Sequence, residues 1–131
     1  KDVPKTKVYE LARLRNAQAP QPLIPQSVFD RAPTAELREN QTDQDSLPPY
    51  EVLDPLLKSY VEGHHSFDQL AKESRRKNPF LKDSEQIVKD VVCLVDKSEY
   101  KRRQAPPGIK ITPRAFGKDW RLPITNGYKE F

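Results

Sequence analysis

Four places in these 131 residues carry side chains whose type and spacing could do chemistry. Lys5 stands at the start of a helix-forming run, where unpaired amides and an ammonium together attract phosphate; a solvated lysine is the ordinary alternative. Pro33-Thr34-Ala35 offers a hydroxyl and an amide behind a rigid proline, donors that suit phosphate oxygens and equally suit a helix cap. Asp43 and Asp45 sit in a polar stretch, where carboxylates could bind Mg²⁺, meet a ribose hydroxyl or simply keep a loop solvated. Finally, Ser98-Glu99-Tyr100-Lys101-Arg102-Arg103-Gln104 closes a long helical pattern. Cations there complement the negative helix end, and the aromatic ring with its neighbouring cations could also engage a nucleotide.

Several chemistries are missing. The four glycines, at 63, 108, 117 and 127, are too scattered to cradle a triphosphate. Adjacent His64 and His65 follow Gly63 and point to different sides of a surface turn, which is no metal-binding spacing. No Ser/His/Asp set can be nominated. Cys93 lies in the apolar run Val91–Val95 and reads as a small buried hydrophobe in a reduced, cytoplasmic compartment. No apolar stretch approaches the roughly 18–20 residues a membrane span needs. These residues alone are not a complete active site.

Helices must position the candidates. Asp2 as a cap, Pro4, and the stripe Val8, Leu11, Ala12 predict a helix over 2–16, with Asn16 as its stop. Prolines 20, 22 and 25 impose an extended connector, with a helical turn at Ser27–Arg31. Residues 34–49 read as a loop, either functional or a disordered linker. Leu56, Leu57, Tyr60 and Val61 fit a helix over 54–62, with Asp54 as cap, Pro55 at its first position, Tyr50–Leu53 a separate turn and Gly63 the stop. Ser66 and Gln69 spell a capping box for a short helix over 66–72, followed by a basic, exposed stretch to residue 82. Asp83 with Gln86 starts the longest helix, 83–104, with Ile87, Val88, Val91, Val92 and Val95 on one face. The β-branched run could instead be a buried strand, but its continuation without a turn residue favours helix. Residues 105–131 read as an irregular tail with a short strand at Ile109–Thr112.

The chain is thus mainly α, and its composition leaves little for a core of its own. Hydrophobic residues make up 35% and charged residues 32%, and mean hydropathy is −0.86, below an average globular domain in apolar material. Thirteen prolines stand against four glycines, and there is no methionine; the chain reads as a piece of something larger. A net charge of +4 favours anionic partners. Arg75-Arg76-Lys77 and Lys101-Arg102-Arg103 would suit a nucleic-acid-binding or scaffold module, yet acidic residues (19) nearly match basic ones (23) and no aromatic residues are interleaved.

Longer strings carry a resemblance. The run Ala35–Asp54, with Thr42-Asp43-Gln44-Asp45-Ser46-Leu47-Pro48-Pro49-Tyr50 at its centre, resembles the C-terminal part of glutamine-dependent NAD⁺ synthetases. So do Val95–Gly108, Ile111–Gly117, Leu122–Asn126 and the opening Lys1–Thr6. The resemblance implies a helical C-terminal segment of an α/β, Rossmann-like adenine nucleotide α-hydrolase domain. It further implies that the domain adenylates deamido-NAD⁺ with ATP and Mg²⁺, and that ammonia then displaces AMP. The ammonia would come from glutamine in an N-terminal amidotransferase domain absent from these residues, and the Ser-Gly-Gly loop that grips ATP would precede Lys1. By position, Lys5 and Thr34 match ATP-contacting residues and Lys101 a contact to deamido-NAD⁺. Tyr100 stands where short, ammonia-dependent relatives carry histidine, and Asp43 and Asp45 lie in a segment similar to the mobile active-site flap, here 34–49. A homo-oligomer with no membrane or nucleic-acid partner is implied for the whole protein, and no turnover for this segment alone.

Overall fold

A computed structural model of the chain describes residues 2–35 and 37–127. The described residues form six α-helices and no strand: α1 (Lys5–Ala17), α2 (Gln26–Asp30), α3 (Tyr50–Val61), α4 (Phe67–Lys77), α5 (Ser84–Lys97) and α6 (Glu99–Gln104), with a 3-10 turn at Asp43–Asp45. The last four residues of the 105–131 tail lie outside the described residues, as do Lys1 and Glu36.

The core sits among α3, α4 and α5. Leu53, Leu56, Leu70, Val88, Val91, Val92 and Val95 close on one another, with Tyr60, Phe67, Ile87 and Phe116 packed at the edge. The apolar stripes read at 3.6-residue spacing therefore meet within the chain. Ser66 and Gln69 form the box their spacing predicts, the Gln69 side chain accepting from the Ser66 amide at 2.9 Å. α4 runs on past residue 72 to Lys77, because Ser74 is still buried and Arg75, Arg76 and Lys77 favour the negative helix end.

Other expectations are corrected. α3 is continuous from Tyr50, with Pro55 inside it. The amide that Pro55 lacks would have bonded the carbonyl of Glu51, one turn back and itself exposed, where water can serve. Asp54 caps no turn of its own helix; its carboxylate accepts from the Thr6 amide and hydroxyl on α1, both at 2.8 Å. Gly63 is not the left-handed stop: its φ is not positive, and His64 takes that conformation instead, at φ 53°. Glycine is required at 63 because a Cβ would lie 2.7 Å from the Ser59 carbonyl oxygen.

Asp83 precedes α5 in a left-handed conformation, φ 57°, and makes no capping bond. A cap needs extended backbone there to aim its oxygen at the first amides. Gln86 accordingly donates to Asp90 instead. The long helix breaks at Ser98, where the Val95 carbonyl receives the Ser98 amide at 3.1 Å and an Arg102 guanidinium nitrogen at 2.6 Å. Cys93 is only partly buried, because the α5 stripe turns Val91, Val92 and Val95 inward and leaves position 93 at its edge.

The residues ahead of α1 meet the segment at 111–112. Asp2 does not cap α1, whose cap position is Pro4. The buried Asp2 carboxylate instead accepts from the Ile111 and Thr112 amides, at 2.7 and 2.8 Å, and from the Thr112 hydroxyl. Those two amides are therefore unavailable to a strand at 109–112. Burial alone would push this carboxyl up, but the amides of Ile111 and Thr112 hold it below the usual aspartate range. α1 ends at Ala17, one residue past Asn16, whose side chain turns the connector back by accepting from the Leu23 and Ile24 amides.

Leu70 is fully buried where α3, α4 and α5 meet. Leu70→Ala is expected to destabilise the protein by about 2–5 kcal/mol, read as a lower denaturant midpoint with an unchanged m-value; a loss under about 1 kcal/mol would contradict this packing.

Candidate functional site

At the head of α1, Lys5 is half-buried and holds its ammonium 5.7 Å from the centre of the Tyr9 ring one turn on. The Thr6 amide, one of the helix-end donors that could meet an anion, is already satisfied by Asp54. Lys5 can therefore offer a ligand its side chain, while one amide beside it is committed internally. Tyr9 packs toward Phe29 of α2, 6.3 Å between ring centres, which braces the face that carries Lys5.

The 34–49 segment folds back on its own polar groups. The Asp43 amide donates to the Pro33 carbonyl at 2.8 Å, closing a loop around a cavity of about 690 Å³ lined by Thr34, Arg31, Arg38, Asn40 and Thr42 among others. Asp45 accepts from the Thr42 amide (2.8 Å) and hydroxyl (3.0 Å), and these two bonds hold its carboxyl below the usual range. Asp43 accepts from the Tyr50 hydroxyl. Both aspartates are thus engaged by donors close in sequence, Asp45 by Thr42 and Asp43 by Tyr50. Among the described residues no cluster of three His, Cys, Asp or Glu side chains is placed to hold a metal.

α6 carries the third group, and its internal logic rests on Glu99. This carboxylate is 1% exposed. It accepts from Arg102 and Arg103 at 2.8 Å each and from the Leu122 amide at 3.1 Å, with Arg121 at 3.5 Å. Burial alone would raise its pKa; the bonds from Arg103, Leu122 and Arg102 overrule that and lower it to about 2. Positions 99, 102 and 103 share one side of a helix, so Tyr100 and Lys101 are left on the other, both exposed. The Lys101 ammonium lies 6.0 Å from the Tyr100 ring centre. Lys101 also borders an apolar groove of about 370 Å³ with Leu47, Leu57, Leu94 and Phe116.

The structure therefore pairs Tyr100 with Lys101, and Asp43 with Asp45 in one turn. Through Leu47 it brings the end of the 34–49 segment to the Lys101 groove. It does not gather Lys5, Thr34 and Lys101 around one cavity: Thr34 lines one, Lys101 another, and Lys5 neither. His64 and His65 diverge, toward Arg114 at 2.9 Å and Glu73 at 3.3 Å. The basic runs are largely engaged within the chain, Arg75 with Glu85, Lys77 with Glu73, and Arg102 and Arg103 with Glu99. Sequence reasoning took residues 98–104 as a cationic helix end and missed Glu99. The signal was there, since Glu99 precedes Arg102 and Arg103 at the i,i+3 and i,i+4 spacings that pair on a helix. No described helix is long and apolar enough to cross a membrane.

A family model described as NAD synthase matches residues 1–105. A glutamine-dependent NAD(+) synthetase of Aquifex aeolicus is 49% identical over 128 residues, covering 98% of this chain and 21% of that protein. The Thermotoga maritima protein of the same description is 47% identical over 130 residues, covering 99% and 21%. Among solved structures, the glutamine-dependent NAD⁺ synthetase of Acinetobacter baumannii in complex with adenosine diphosphate superposes with a TM-score of 0.55 at 37% identity, covering 100% of this chain and 21% of that one. The chain spans about a fifth of the length of the relatives it matches.

The Glu99 cluster has a pH signature. A carboxyl whose pKa falls from 4.5 to about 2 on folding adds stability that is complete above 4.5 and lost as pH falls through about 2. Near-ultraviolet circular dichroism of Trp120, whose segment Glu99 ties down, is expected to change across that window. Glu99→Gln should bring the change to neutral pH; a Gln variant with an unaltered acid limb would contradict the assignment.

Proposed function

Because the chain belongs to the NAD synthase family, we propose that the protein carrying it makes NAD⁺ by ATP-dependent amidation of deamido-NAD⁺, with these residues closing one side of the nucleotide pocket. The observation that carries this reading is the family match running unbroken through residues 1–105, which takes in Lys5, Thr34, Asp43, Asp45, Tyr100 and Lys101 together. In this reading the helices complete an α/β, Rossmann-like adenine nucleotide α-hydrolase domain, and an N-terminal glutaminase domain supplies ammonia in a cytoplasmic homo-oligomer.

The chemistry follows from the charges that must be managed. A carboxylate oxygen of deamido-NAD⁺ attacks the α-phosphorus of ATP and pyrophosphate leaves; ammonia then attacks the acyl carbon and AMP departs. Both stages gather negative charge on phosphate oxygens. Preorganised donors are effective where such charge builds. Lys5 supplies an ammonium to the phosphates from its place beside the Tyr9 ring, and Thr34 supplies a hydroxyl. Lys101 meets the anionic deamido-NAD⁺ from the exposed side of α6, and Tyr100 offers a ring to stack or a hydroxyl to donate. The segment bearing Asp43 and Asp45 covers the adenylate and excludes water that would hydrolyse it. Mg²⁺, when bound, offsets charge on ATP; Asp43 and Asp45, held by Tyr50 and Thr42, do not fit as its ligands.

Two measurements test this reading. In the full-length protein with ammonia, ATP and Mg²⁺ supplied, Lys101→Ala is expected to raise KM for deamido-NAD⁺ roughly 10–100-fold, the loss of one charged hydrogen bond, with thermal unfolding unchanged. Unchanged kinetics with lowered stability would instead make α6 a scaffold. Residues 1–131 alone should form no amide in the same assay, and turnover there would mean the phosphate chemistry has been misplaced.

A further inference from the structure

Tyr50 and Asp54 stand four residues apart, on one side of α3. Their polar atoms leave the helix for two different parts of the chain. The Tyr50 hydroxyl donates to Asp43 Oδ2 at 2.5 Å, in the 34–49 segment. Asp54 Oδ2 accepts from the amide and the hydroxyl of Thr6, both at 2.8 Å, immediately beside Lys5. α3 is anchored in the core by Leu53, Leu56 and Val61. Each bond instead fixes a foreign segment: Asp54 satisfies an orphan amide in the first turn of α1, and Tyr50 holds the turn that carries Asp43.

The two bonds suit rigid fixing. Asp54 is buried and receives two donors from one residue, which sets both the position and the rotation of the α1 start. Burial, and then the neighbouring Asp43 carboxylate, push the Tyr50 phenol far above its usual range, so it remains a donor at any working pH.

We infer that Tyr50 and Asp54 form a bracket on α3 that fixes the head of α1, with Lys5, against the segment that carries Asp43, and so act as positioning residues for the nucleotide site. The inference rests on the proposed function, which gives Lys5 to ATP and the Asp43 segment to deamido-NAD⁺. Through the bracket, the ATP side and the substrate side of the pocket share one rigid helical turn, although Lys5 and Asp43 belong to distant parts of the sequence.

Side-chain truncations test the bracket in the full-length enzyme, with ammonia supplied and each nucleotide varied in turn. Thr6→Ala keeps the amide bond to Asp54 and removes the hydroxyl together with the γ-methyl, Tyr50→Phe removes only the bond to Asp43, and both proteins should still fold, with thermal midpoints lowered by no more than about a few degrees. Thr6→Ala is expected to raise KM for ATP roughly tenfold and move that for deamido-NAD⁺ by less than about twofold; Tyr50→Phe should do the reverse, and Thr6→Ser should restore wild-type values. Lower thermal midpoints with both KM values unchanged, or equal shifts in both, would overturn the bracket. Lys5→Ala separates the two levels. If it alters KM for ATP while Thr6→Ala does not, the bracket alone falls; if it leaves KM for ATP unchanged, the ligand assignment fails and the bracket with it.

Discussion

A carboxylate taken almost wholly out of water must be surrounded by donors, and Glu99 imposes that demand on everything near it. Arg102 and Arg103 turn inward to meet it, the Leu122 amide is drawn down onto it, and Arg121 follows from the tail. Arg102 also reaches back to the Val95 carbonyl, which breaks the helix at Ser98 and sets the direction of α6. Lys101 and Tyr100 are outward because their neighbours are needed inside. The outward presentation of Lys101 is therefore a by-product of satisfying one buried charge.

The same device recurs across the molecule. A chain with so little apolar material cannot hold every segment by packing alone. The three-helix core anchors α3, α4 and α5, and carboxylates tie down the rest. Asp54 fastens α1, Asp43 and Asp45 shape the 34–49 turn, Asp2 holds residues 111–112, and Asp119 accepts from the Ala115 amide and from Lys110. Charge is used here as local fastening between elements.

What was legible in the sequence follows from the range of each interaction. Apolar periodicity located α4 and α5, and the Ser66–Gln69 box was readable because its two partners lie three residues apart. The aspartates misled. Asp2 and Asp54 both look like local caps, yet their partners are about 110 and 48 positions away, beyond the reach of any rule about neighbouring residues. Asp83 failed for a local reason, a left-handed backbone that its residue type tolerates but does not announce. Gly63 was flagged for its conformational freedom and is needed for its small size. For the site, residue type and spacing single out Lys5, Thr34, Asp43, Asp45 and the 98–104 run as chemically capable, and ligands for them are implied only by the resemblance that longer strings carry. Tyr50 went unnoticed, since an aromatic residue beside two prolines reads as packing until its hydroxyl is seen to meet Asp43.

The knot between Asp2 and residues 111–112 also orders events during protein synthesis. A ribosome adds roughly 5–20 residues per second, and 109 positions separate Asp2 from Ile111. For roughly 5–20 seconds after Asp2 is made, its carboxylate thus has no amides to receive. Over that interval the first helix can already dock on α3 through Thr6 and Asp54, which lie 48 positions apart, and only the residues ahead of it wait for the tail.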